Sequence, residues 1–158
     1  MSIEERTAQL GIAFPEPTTP LANYVLARIS GDRLYVSGHL GKRDGEVISG
    51  KVDETVSRHE AYELARGAAI DMLACARAAL GTLDRVTGVV KVTGFVNSAA
   101  GFTDQSAVIN GASDLLVEVF GTDHGRHARS AVGVAELPRG AAVEVEAIFE
   151  LETYARAG

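Results

Sequence analysis

The strongest local concentration of positive charge is Arg126-His127-Ala128-Arg129, and it runs into a segment that otherwise reads as a core strand. Arginine presents a rigid planar fork that grips a carboxylate or phosphate through two parallel hydrogen bonds, where lysine acts as a point charge. Arg129 therefore reads either as an anion clamp or as an ordinary salt-bridge partner of an acidic strand residue such as Glu144 or Glu146. His124 and His127, beside Asp123, have the types to bind a metal if another ligand arrives from elsewhere; otherwise they belong to a solvated polar loop. Cys75 sits mid-helix in an alanine-rich stretch with nothing nearby to make it a thiolate, so it reads as packing. The chain has neither the Gly-x-Gly-x-x-Gly turn of dinucleotide sites nor the Gly-x-Ser-x-Gly elbow of serine hydrolases.

The elements that must position these groups belong to one domain of 158 residues. Its 15 basic and 21 acidic side chains leave a net charge of −6, which disfavours tracking along a phosphate backbone. Aromatic residues make up only 6% with no tryptophan, which disfavours base stacking as well. No apolar run approaches the roughly 20 residues of a membrane helix. One cysteine cannot form an internal disulfide, and the acidic start Met1-Ser2-Ile3-Glu4-Glu5-Arg6 does not resemble a secretory leader. A cytoplasmic protein is the expectation.

Residues 1–21 read as an N-terminal extension: one or two helical turns over Ile3 to Leu10, then an extended stretch imposed by Gly11, Pro15, Pro17 and Pro20. The core domain is expected over 22–152. Tyr24 to Ile29 and Arg33 to Ser37 flank Ser30-Gly31-Asp32 as a hairpin, and Asp44-Gly45 precedes a short edge strand at Glu46 to Ile48. Ser57 and Glu60 have capping-box spacing, and an apolar stripe through Ala61, Leu64, Ala65, Ala68, Met72 and Ala76 predicts a helix to Leu80, closed by Gly81. Val86 to Val96 reads as a buried strand, Thr103 to Phe120 as a second helix ended by Gly121, and 121–127 as a polar loop. Arg129 to Leu137 and Ala142 to Leu151 read as strands around Pro138-Arg139-Gly140. In the last of these, Val143, Val145, Ala147, Phe149 and Leu151 alternate with a mostly acidic set that includes Glu144 and Glu146. This order predicts an α+β fold, a sheet with two helices packed on one face.

Ala128-Arg129-Ser130-Ala131-Val132, then Leu137-Pro138, then Val143-Glu144-Val145, with Glu144 fifteen residues after Arg129, resembles the C-terminal signature of the RidA/YjgF family, also labelled endoribonuclease L-PSP. Tyr24, Ser37-Gly38, Val90-Lys91-Val92 with Phe95-Val96, and Asn110 follow the family's features in the same order, so the resemblance covers about Ala22 to Phe149. It implies a chorismate-mutase-like subunit with a mixed sheet, assembled as a homotrimer with clefts between neighbouring subunits. It also implies hydrolysis of reactive 2-imino acids, such as 2-iminopropanoate formed from 2-aminoacrylate, to 2-oxo acids and ammonia, with no metal or organic cofactor. The implied partner is a small carboxylate-bearing substrate, not nucleic acid or a membrane.

On that resemblance Arg129 grips the substrate carboxylate and Glu144 orients or deprotonates the attacking water. Tyr24 and Asn110 shape the cleft, and Ser37 and Gly38 permit close backbone approach. Two other functions remain open: a non-catalytic trimer that binds small carboxylates as a metabolic signal, and an endoribonuclease, which the acidic balance disfavours. The sequence departs from the family pattern at His39, where glutamine is common, at Ala131, where many members have cysteine, and at His127, where proline often stands.

Overall fold

The structure, a computed structural model, describes residues 1–153; the end of the predicted domain, 154–158, lies outside the described residues. Ser57 is extended and its hydroxyl accepts from the Glu60 amide at 3.1 Å, satisfying an N–H that the first helical turn leaves free. Helix α2 (Arg58–Leu80) follows, and its Ala61, Leu64, Ala65, Ala68 and Met72 are buried. Gly81 closes it at φ 82°, in the left-handed region. Numbering in chain order, α1 spans Ile3–Gln9, β1 Ala27–Ser30, β2 Arg33–Leu40, β3 Lys42–Arg43, β4 Glu46–Val47, β5 Val86–Asn97, α3 Gln105–Gly125, β6 Ala128–Val134 and β7 Val143–Leu151.

The main sheet has the order β1-β2-β7-β5-β6 and is antiparallel except for β5 and β6, which run parallel because α3 carries the chain across between them. Helices α2 and α3 cover one face. Along β7 the predicted alternation holds: Val143, Val145, Ala147, Phe149 and Leu151 are buried, while Glu144, Glu146, Ile148 and Glu150 stand on the other face and are half-exposed. The core joins Leu34 of β2, Met72 and Leu73 of α2, Val92 of β5, Ile109 and Leu116 of α3 and Phe149 of β7. Each such side chain contributes about 1.5–3 kcal/mol on burial.

The N-terminal helix is fastened to this core. Ser2 and Glu5 form a reciprocal capping box, Glu4 accepts from the Leu83 amide at 2.9 Å and from Arg77 Nε at 3.0 Å, and Arg6 Nε donates to the Glu118 carbonyl at 2.8 Å. Among the described residues no helix is long and apolar enough to cross a membrane.

Three element boundaries differ from the sequence expectation. β1 begins at Ala27, so Tyr24 precedes the strand in a bend where its amide donates to the Ala22 carbonyl. α3 breaks at Gly121 as expected, at φ 78°, but one further helical turn reaching Gly125 stands where a polar loop was expected. β6 ends at Val134, because the next carbonyl, Ala135 O, accepts from Lys51 Nζ at 2.7 Å instead of continuing the ladder. The short edge strand at Glu46 pairs with β3 as a separate two-stranded ribbon.

Candidate functional site

The predicted site residues fall into two groups. Glu144 stands on the face of the sheet that the helices leave bare, paired across to Leu40 of β2 and Phe95 of β5. Beside it the β2–β7 register is interrupted between Val36 and His39, and Ser37 turns to the preceding segment: its amide donates to Leu26 O at 2.9 Å and its hydroxyl to Val25 O at 2.7 Å. This brings Tyr24, Ser37, Gly38 and Glu144 to one cleft of about 590 Å³, with Leu26, Leu40 and Pro138 among its apolar walls.

Glu144 lies directly over the Gly38 backbone, where a Cβ would overlap its carboxylate. Gly38→Ala must therefore displace Glu144; because the atoms that must move are the end of a flexible side chain, the expected results are little change in stability by chemical denaturation and a fall in any activity that uses this carboxylate. Burial raises the Glu144 pKa above its ordinary value, and the charge of Glu146 raises it further. Among the described residues no cation pairs with Glu144.

The second group is built on the other face. Arg129 on β6 is paired with Val92 of β5, whose side chain is in the core, and it reaches over α3. Nη1 donates to Asn110 Oδ1 at 2.8 Å and to Ser113 Oγ at 3.1 Å, and Nη2 donates to Ser106 O at 3.2 Å. All three acceptors are neutral. The expected alternative, a salt bridge to Glu144 or Glu146, is not formed; among the described residues no carboxylate pairs with the guanidinium, and Nε–H and one Nη2–H have no hydrogen-bond partner.

The structure thus joins Asn110 to Arg129 and gathers Tyr24, Ser37 and Gly38 around Glu144, but it does not bring Arg129 and Glu144 together within one chain. Sequence reasoning missed Ser106 and Ser113. The Ser113 signal was its spacing of three from Asn110, which puts both on one helix face.

The departing residues have definite places. His39 is buried, opposite core-facing Val145, and its Nδ1 meets Ser37 O at 2.7 Å; desolvation lowers its pKa, opposed by that bond and by Asp71 of α2. Ala131 is partly buried against the core. His127 is no free loop residue: Nε2 lies 2.9 Å from Ser113 Oγ and Nδ1 2.6 Å from Gly125 O. His124 and Asp123 remain exposed, and among the described residues no cluster of three or more His, Cys, Asp or Glu side chains is placed to hold a metal. Cys75 is buried, which raises its pKa. Gly45 to Lys51 has the Gly-x-x-x-x-Gly-Lys spacing of a phosphate loop, but Val52 follows where a hydroxyl is required, and Lys51 Nζ is held by Asn97 Oδ1 at 2.8 Å.

A sheet of this topology, with two helices on one face and these residues at its bare face and parallel edge, has counterparts among known proteins. Residues 15–151 match the endoribonuclease L-PSP family, and the chain belongs to that family, the one its C-terminal signature resembles. It is 51% identical over 144 residues to protein TCP17 of Trypanosoma cruzi, covering 90% of each chain. A 2-iminobutanoate/2-iminopropanoate deaminase of Dermatophagoides farinae is 33% identical over 143 residues, covering 89% of this chain and 95% of the relative. Among solved structures, the Agrobacterium tumefaciens protein Atu1372 superposes with a TM-score of 0.86 at 44% identity, over 95% of this chain and 92% of that one.

Proposed function

We propose that this protein is a 2-imino acid deaminase whose site is completed between two copies of the chain. The observation that carries the reading is Arg129, an oriented guanidinium with no carboxylate partner among the described residues and two donors to spare. A deaminase among the relatives supports the same chemistry. Glu144, on the opposite face, is the complementary half: a partly buried acid with no cation partner among the described residues.

Two copies complete the site if the edge carrying Arg129 of one faces the cleft carrying Glu144 of another. Support comes from the bare face of the sheet, where Tyr35 and Val132 expose apolar surface that the chain itself does not cover. A ring of three copies is the closed arrangement we favour for such a head-to-tail contact. The proposed unit is the single domain of 1–158, with residues 1–21 as its extension.

In this site Arg129 binds the substrate carboxylate, with Asn110 fixing its fork. Glu144, made more basic by its surroundings, takes a proton from water as the oxygen attacks the C=N carbon of the protonated imine, and the nitrogen becomes the neutral amino group of a carbinolamine. The proton held by Glu144 then passes to the amino group, Glu144 takes the hydroxyl proton as the C–N bond breaks and the carbonyl forms, and that proton leaves with ammonia as ammonium. Tyr24, Ser37 and Gly38 wall the cleft on the Glu144 side. RNA cleavage is the weaker reading, because a net charge of −6 and an aromatic content of 6% without tryptophan disfavour phosphate tracking and base stacking.

The test follows 2-oxo acid release from freshly generated 2-imino acids, with spontaneous hydrolysis subtracted. Acceleration by the purified protein is the expected result. Carboxylate binding without acceleration would replace catalysis by a ligand-sensing role.

A further inference from the structure

The geometry points to His127 and Ser113 as positioning residues for Arg129, acting through a directional hydrogen-bond relay that ends on the Gly125 carbonyl. A carbonyl only accepts, so the 2.6 Å contact from His127 Nδ1 to Gly125 O places the imidazole proton on Nδ1. Nε2 of the neutral ring is then an acceptor, and the Ser113 hydroxyl 2.9 Å away must donate to it. With its proton so engaged, Ser113 Oγ turns a lone pair to Arg129 Nη1 at 3.1 Å. Each link sets the direction of the next: Arg129 donates to Ser113, Ser113 to His127, and His127 to the backbone.

The end of the relay is held by packing. Gly121 breaks α3, so the last turn folds back on the helix, and at Gly125 a Cβ would stand 2.7 Å from Leu116 O and from Val117 Cα. Only glycine allows this approach, and the carbonyl that orients His127 has little room to move. The ring is kept neutral by the same surroundings, since burial and the neighbouring Arg129 charge lower its pKa against the opposing bond to Gly125. Nδ1 and Nε2 both have partners, so His127 is not placed as an acid or base for a ligand.

The functional role rests on Arg129 as the carboxylate clamp. Asn110 and Ser113 take both Nη1 protons, and Ser106 O takes one from Nη2. The relay thereby decides which edge of the fork remains for the substrate. Loss of the relay leaves the charge in place but frees its orientation, which weakens carboxylate binding more than the chemical step.

The test uses the full chain, with turnover of 2-imino acids and binding of 2-oxobutanoate as a stable carboxylate probe. Ser113→Ala and His127→Phe are each expected to raise KM and the probe Kd about tenfold, with kcat changed less than about twofold. Ser113→Thr, which keeps the hydroxyl, restores binding. Nitrogen-15 NMR of the wild-type protein is expected to find His127 protonated on Nδ1 and bare on Nε2, a readout independent of activity and of any variant's folding. A proton on Nε2 at neutral pH would overturn the relay. So would wild-type probe affinity in both Ser113→Ala and His127→Phe while Arg129→Ala loses it. Equal binding by wild type and Arg129→Ala overturns the carboxylate reading itself, and the relay's role with it.

Discussion

Arg129→Ala is expected to lower kcat/KM for 2-imino acids by about 10²–10³-fold, as when a charge-assisted, two-point grip on the substrate is removed. The effect is large because the chemistry itself demands little. A C=N carbon is already electrophilic, so most of the rate must come from holding the carboxylate still while water approaches. Arg129→Lys retains the charge but not the planar fork, and is expected to recover only part of the lost activity. The loss in Arg129→Ala is not expected to be a folding effect. The side chain lies at the sheet edge, bonded to two exposed groups, Ser106 and Asn110, and to half-buried Ser113. Near-wild-type melting behaviour in the variant checks this directly. Unchanged turnover in Arg129→Ala would remove the clamp from the mechanism.

The second expected result is a rescue. Glu144→Gln alone keeps affinity for 2-oxobutanoate and loses most turnover, about 10²–10⁴-fold for a general base. Arg129→Ala and Glu144→Gln are thus both inactive, but for residues on opposite faces of the sheet. When the two variants are unfolded together and refolded as mixed oligomers, some interfaces pair an intact Arg129 from one chain with an intact Glu144 from another. For random mixing in a ring, about a quarter of the interfaces are restored, and activity returns to about that fraction of wild type. A site contained within one chain cannot be rescued this way, so mixed samples without activity would sink the shared-site reading while leaving the clamp intact. Glu144→Gln must also lose the acid limb of the pH profile. In the wild type kcat/KM rises with pH as Glu144 loses its proton, and its raised pKa sets that limb above the ordinary carboxylate value of 4.5.

Much of this protein is legible in its residues because the signals are local. The Ser57 cap, the alanine-rich stripe of α2 and the Gly81 stop depend on neighbours within a turn, and the two faces of β7 follow from strict alternation. The resemblance of the motif also grouped Arg129 and Glu144 with Asn110, Ser37 and Gly38 as a candidate set.

What the sequence could not decide is where the members of that set face. β6 reads Ala-Arg-Ser-Ala-Val-Gly-Val, with too little contrast between apolar and polar positions to assign its sides, so Arg129 is placed only by its register against core-facing Val92. That register puts it over α3 and away from Glu144. The Ser113–His127 relay was hidden for a similar reason. It needs the helix to break at Gly121 and fold its last turn back until Gly125 touches Leu116, a contact set by packing in three dimensions. Residue types and spacing thus determined the secondary structure and the inventory of chemical groups. The tertiary structure alone decided that Arg129 and Glu144 lie on opposite faces of the sheet, because side-chain direction in an edge strand is set by its pairing partner.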